Sequence, residues 1–212
     1  MDFDFNYSSV ASIVNAAEKN NLPISALILA QQAQQMEESE EALYSRMREN
    51  FQVMSQCIEP GSSRDVKSTS GLTGGSAYKM RRVAEGGGSL TGSLMAGALY
   101  RALAVSELNA SMGRIVAAPT AGSCGILPAA LLTMQAEKGC PEHDCVMAMF
   151  TASAIGMVIA NNASLAGAQG GCQAECGSAA AMAAGAIVEL AGGTPRQVSH
   201  AVAIALKNIL GL

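Results

Sequence analysis

Val146 to Ala160 read VMAMFTASAIGMVIA, fifteen residues without a charge, inside an uncharged stretch that runs from Cys145 to Ala174. How this stretch is read decides the fold. A helix that crosses a bilayer needs about 20 predominantly apolar residues. Here the apolar run stops at Ala160 and meets Asn161, Asn162, Ser164 and Gln169, which are costly in lipid. The reading is therefore a helix buried on all sides in a helical protein, with no membrane partner.

Composition extends that reading. Half of the 212 residues are hydrophobic, yet aromatics are only 4% and there is no Trp. Small side chains, mostly Ala and Gly, let helices approach closely. A net charge of −4 gives no electrostatic reason for a nucleic-acid partner. The start, MDFDFN, is acidic and has no basic region before an apolar core, so no signal peptide is expected. Six cysteines then point to thiols or metal ligands in a reducing cytoplasm rather than to disulfides.

Outward from the core stretch, helical spacing dominates. SSVASIVNAAEKNN (Ser8 to Asn21) has a Ser cap and apolar residues at Val10, Ile13, Val14 and Ala17. Pro23 opens a second helix, expected to run unbroken to about Glu59, where Pro60-Gly61 stops it. Its charged middle, EESEEALYSRMREN, reads as a solvated face. Gly61 to Gly88 is rich in Gly, Ser and Thr and reads as loop. Helices follow from Ser89, after the turn Pro119–Gly125, and from Glu142, and the last is capped by Thr194 with Pro195 at its first position. No stretch of real length alternates β-branched residues. The expectation is all-α: one helical domain over residues 1–212, with close-packed helices and glycine-rich loops.

Three stretches could carry chemistry. In AGAQGGCQAECGSAAAMAAGA (Ala166 to Ala186), Gly170-Gly171 should end one segment and start a helix at Cys172. A helix N-terminus favours a thiolate, and a thiolate is what a metal needs. Cys176 shares the face of Cys172 one turn on. Two readings stand: ligands for a metal or cluster, or two small buried apolar residues. STSGLTGGSAYK (Ser68 to Lys79) has an anion-cradling composition, since glycines let N–H groups converge and hydroxyls add donors. It lacks the order of a P-loop, and a small carboxylate suits it better than a nucleotide. APTAGSCGILPA (Ala118 to Ala129) is a second such turn leading into a helix. The run CPEHDC, with Cys140, His143 and Cys145, is a partial zinc pattern without its second pair. Cys57 and Cys124 read as structural, and His200 as a core or surface histidine. Lys79 is the one lysine placed to form a Schiff base, and it also reads as a surface charge.

Taken together, APTAGSCGILPAALL, GMVIANNASLAGAQGGCQAECGSAAAMAAGAIVELAGGTP and SGLTGGSAYKM closely resemble the alpha chain of the iron–sulfur-dependent bacterial L-serine dehydratases. The resemblance covers nearly everything after about Ser63. It implies a helical catalytic domain and a [4Fe–4S] cluster held by three cysteines, of which Cys172 matches the first and Cys176 is a further candidate. The other two ligands would lie beyond Leu212, so a C-terminally truncated chain, inactive on its own and unable to hold the cluster stably, is expected. The resemblance also implies a beta chain, an oligomeric assembly and a cytoplasmic place in amino-acid catabolism and gluconeogenesis. L-Serine would be converted to pyruvate and ammonia, with an open iron acting as Lewis acid on the hydroxyl. Ser70, Gly71, Thr73, Gly74, Gly75, Thr120, Ser123 and Asn161 would bind the substrate. No residue is named as the catalytic base, which the beta part can supply. Three positions depart from the family pattern by losing a charge: Ser76, Asn162 and Gln169. The alternatives are a cysteine desulfidase-type iron–sulfur lyase and, from another class, a non-catalytic helical scaffold subunit.

Overall fold

A computed structural model describes residues 7–210. The acidic start, Met1 to Asn6, and the last two residues lie outside them. Among the described residues ten α-helices follow in order: α1 Val10–Asn20, α2 Ile24–Met36, α3 Glu40–Gln56, α4 Ile58–Gly61, α5 Ser76–Glu85, α6 Gly92–Ala110, α7 Ile126–Lys138, α8 Glu142–Asn162, α9 Gly167–Leu190 and α10 Pro195–Lys207. A single 3₁₀ turn, Ala121–Ser123, precedes α7, and no strand occurs among the described residues. The all-α expectation holds.

The chain forms two compact units, one of residues 1–49 with 141–212 and one of residues 50–140. In the first, α8 packs on α2 and α9, α10 lies on α9, and α1 touches both α2 and α10. Helix α8 contains the apolar stretch Val146 to Ala160. Its length and composition would suffice to cross a membrane, but 61% of its most apolar window is buried inside the protein. Phe150, Val146, Ile155 and Thr151 are among its fully enclosed side chains. Small residues set the spacing: a Cβ on Gly185 of α9 would lie 2.2 Å from Ile155 Cδ1 of α8.

In the second unit α6 is the hub, with α4, α5 and α7 packed on it. Cys57, Val105 and Cys124 are buried together beside Val53, Ile58, Leu108 and Ile115. The two cysteines are structural here, as their surroundings in the sequence suggest. Burial and the neighbouring Cys57 push the Cys124 thiol up to about 11.

Local signals place the helix ends that depend on local chemistry. Ser9 and Thr194 each cap their helices through a reciprocal box, with Ser12 and Gln197 as partners. Three expectations are corrected. The helix expected from Pro23 to Glu59 is three helices. Glu37 turns left-handed at φ 55°, with its N–H on Ala33 and Gln34 carbonyls, and the Ser39 hydroxyl then accepts from Ala42 N at 3.2 Å to start α3. Part of the expected loop Gly61–Gly88 is helix α5, whose first N–H groups are held by Glu107 of α6. Helix α6 starts at Gly92, behind a turn in which Gly92 N donates to Ser89 O. The charged stretch around α3 is exposed as expected, though Arg46 reaches Glu38 and Arg48 reaches Glu142, both at 2.5 Å, rather than acids one turn back.

The contact of α4 with α6 is the tightest test of this packing. A Cβ on Gly61 would lie 2.0 Å from the Ala104 backbone oxygen, which cannot swing aside as a side chain can. Gly61→Ala is expected to lower stability in urea unfolding by about 1–3 kcal/mol. Gly88→Ala, where nothing lies within 4 Å, should change it by less than about 0.5 kcal/mol.

Candidate functional site

The glycine-rich loop Ser68 to Gly75 is closed by its own hydrogen bonds. Ser68 N donates to Thr73 O at 2.9 Å and Gly71 N to Ser68 O at 2.9 Å. The Ser68 hydroxyl lies 3.0 Å from that of Ser70 and accepts from Thr73 N at 3.2 Å. Gly74 and Gly75 have positive φ (147° and 79°), and a Cβ on Gly74 would lie 2.2 Å from Val66 O. The loop does cradle an anion. Its N–H groups of Gly75, Ser76 and Ala77 point to the carboxylate of Glu107 on α6. That carboxylate, not a side chain near it in sequence, caps α5.

The second turn reaches the same end of α6. Asn109 Nδ2 donates to Ala121 O at 3.0 Å, and the hydroxyls of Thr120 and Ser123 lie 3.1 Å apart. Ser123 is buried, whereas Ser70 and Thr73 are exposed. Thr69 N donates to Ala110 O at 3.0 Å. Ser70, Gly71, Thr73, Gly74 and Gly75 and the pair Thr120 and Ser123 are thus held at the last turn of one helix.

In the other unit, α9 contains a break. Gly171 sits at φ 73°, ψ −179°, so the helical run resets and Cys172 opens its longer part. Only glycine adopts that conformation freely. Cys172 and Cys176 are both exposed, which decides against the reading of two buried apolar residues. Partial burial, the Cys172 thiol and Glu175 push the Cys176 thiol above the ordinary value. Asn161, at the end of α8, lines a cleft of about 200 Å³ with Tyr7, Gln31, Gln35 and Met157. Two of the uncharged positions singled out in the sequence are used locally. Asn162 Nδ2 donates to Ser8 O and Val158 O, and the Ser164 hydroxyl donates to Gln169 Oε1 at 2.7 Å.

To the iron–sulfur cluster that the resemblance implies, Cys172 and Cys176 offer two exposed thiols one turn apart. They do not fit a complete donor set: among the described residues no group of three or more His, Cys, Asp or Glu is placed to hold a metal ion. CPEHDC is not such a group either. His143 is exposed, stacks on Tyr44 at 5.3 Å and faces Asp144 at 3.1 Å, and Cys145 is buried. His200 is exposed.

Sequence reasoning missed Glu107 and its counterpart Glu189. The Glu189 carboxylate accepts from Ser25 N at the start of α2 (3.3 Å) and from the Thr151 hydroxyl (2.8 Å). An acid inside an otherwise apolar helical stretch is the one available signal for each, because such a charge is buried only with partners.

A model of the serine dehydratase alpha chain family matches residues 19–212. A protein of Bacillus subtilis (strain 168) described as a probable L-serine dehydratase, alpha chain, is 43% identical over 206 residues, covering 97% of this chain and 68% of the relative. The L-serine dehydratase, alpha chain, of Peptoniphilus asaccharolyticus is 37% identical over 205 residues, covering 97% and 70%. L-serine dehydratase 2 of Escherichia coli (strain K12) is 35% identical over 224 residues and is covered over only 47% of its length.

Exposure makes a direct prediction about the thiols. In the native, chelator-treated chain iodoacetamide should modify Cys172 and Cys176, and leave Cys57, Cys124 and Cys145 until denaturant is added. The raised Cys176 thiol is less ionised at any given pH, so its rate should still climb as pH passes 9.0. Peptide mass spectrometry across a pH series reads both outcomes.

Proposed function

Because the chain belongs to the serine dehydratase alpha chain family, we propose that it is the alpha chain of an L-serine ammonia-lyase, which converts L-serine to pyruvate and ammonia together with a beta chain. The observation that carries this reading to a site is the Cys172 thiol, exposed at the start of a helix that Gly171 resets. Cys172 is a ligand of a [4Fe–4S] cluster in this reading, and the small residues beside it leave room for an inorganic group. When bound, the cluster supplies a Lewis acid for the substrate hydroxyl. The donor set among the described residues is incomplete, so no step is assigned to it.

The chain's own residues bind and orient. The N–H groups of Gly75, Ser76 and Ala77 are filled by Glu107. The substrate carboxylate and amine therefore meet the exposed hydroxyls of Ser70 and Thr73 and the half-buried hydroxyl of Thr120, which Ser123 orients. Hydroxyls can donate to the carboxylate and accept from the ammonium, so one loop set serves both ends of an amino acid. The assembly is cytoplasmic and oligomeric in this reading.

The complete enzyme, alpha with beta, should form pyruvate from L-serine when prepared without oxygen. Activity should vanish in air and return with ferrous iron and thiol. Cys172→Ser should abolish activity and cluster absorbance together, and Cys124→Ala should keep both. Activity that survives air and falls to hydroxylamine would point to pyridoxal chemistry at a lysine such as Lys79 and overturn the reading. Faster release of sulfide from L-cysteine than of pyruvate from L-serine would reassign it to a cysteine desulfidase. No lyase activity from a folded, cluster-loaded complex would leave a scaffold subunit.

A further inference from the structure

Glu107 is 9% exposed. Its carboxylate accepts from Gly75 N at 3.0 Å, Ser76 N at 2.7 Å and Ala77 N at 3.3 Å. Two residues on, Asn109 holds Ala121, and Ala110 O holds Thr69 N. One helical turn therefore grips the entry and the exit of the Ser68–Gly75 loop, and also the Thr120–Ser123 turn. A carboxylate taken out of water must have its lone pairs filled. Here they are filled only if the glycine loop adopts this conformation, so the charge and the loop fix each other.

We infer that Glu107 is a positioning residue for substrate binding. Through the Gly75, Ser76 and Ala77 N–H groups it sets where Ser70 and Thr73 present their hydroxyls, and its helical turn ties that arrangement to Thr120. The inference rests on the reading of these loops as substrate-binding. It assigns Glu107 no contact with substrate: its charge occupies the N–H groups a substrate carboxylate would otherwise take.

Glu189 provides a matched comparison, since it also caps a helix across the chain, on Ser25 N and the Thr151 hydroxyl, but touches neither loop. The test is made on the complete enzyme. Glu107→Gln keeps the size and removes an acceptor. It should raise KM for L-serine on the order of tenfold while kcat stays within about twofold. Hydrogen exchange should quicken together in residues 68–77 and 118–124. Asn109→Ala should quicken 118–124 alone. Glu189→Gln should quicken exchange near Ser25 and leave KM unchanged. An unchanged KM in Glu107→Gln, a fall in kcat alone, an equal KM shift in Glu189→Gln, or loops that keep their protection would each overturn the inference. If the unaltered enzyme does not consume L-serine, the functional reading fails instead, and the exchange measurements alone decide whether Glu107 holds the loops.

Discussion

A carboxylate hidden from water is the constraint around which the second unit is arranged. Hydrogen bonds to a charged group are worth about 1.5–3 kcal/mol each, and leaving the charge without them costs at least as much. Glu107 takes three from consecutive residues of one loop. That exchange explains why α5 exists at all. Its sequence, SAYKMRRVAE, has no side-chain cap of its own, and its N-cap is Gly75 in a left-handed conformation. The helix starts where it does because a residue some thirty positions away needs its first N–H groups.

The first unit repeats the arrangement with Glu189. There the donors are Ser25 N at the start of α2 and Thr151 in the middle of the apolar α8. In each unit an acid on one helix, buried at Glu107 and half-buried at Glu189, accepts from the first N–H groups of another. The small residues of α8 and α9 supply the complementary condition. Gly185 lets Ile155 and Val198 close on the same point, so helices that carry few large side chains still exclude water.

What was legible in the sequence follows from the range of the interactions responsible. The caps at Ser9 and Thr194 act over three residues, and the sequence shows them directly. Composition and the missing β alternation place the fold in the all-α class. The reset at Gly171 was legible because a glycine pair interrupts an otherwise helical run. The break at Glu37 was not, because a left-handed glutamate carries no propensity signal, although Ser39 behind it was a usable cap. α5 and the occupied N–H groups of its loop were out of reach, since their cause is Glu107. Composition pointed to N–H groups that converge on an anion, and in the structure three of them converge on a carboxylate of the protein itself, that of Glu107. Cys172 and Cys176 could be assigned to one helix face by spacing, but only the structure decides their exposure.

The reset at Gly171 also has a consequence for how this chain can vary. Because φ there is 73°, the hydrogen-bond register of residues 167–170 does not propagate into the helix that Cys172 begins. The thiol's position is set by the packing of the part that follows, where Ser178, Ala179 and Ala181 are buried. Insertions or deletions in the connection after α8 can therefore be absorbed upstream without rotating the thiol about the helix axis. An uninterrupted helix would turn it by about 100° for each residue gained or lost. The glycine works as a phase break, separating a segment free to change length from one whose angular setting is fixed.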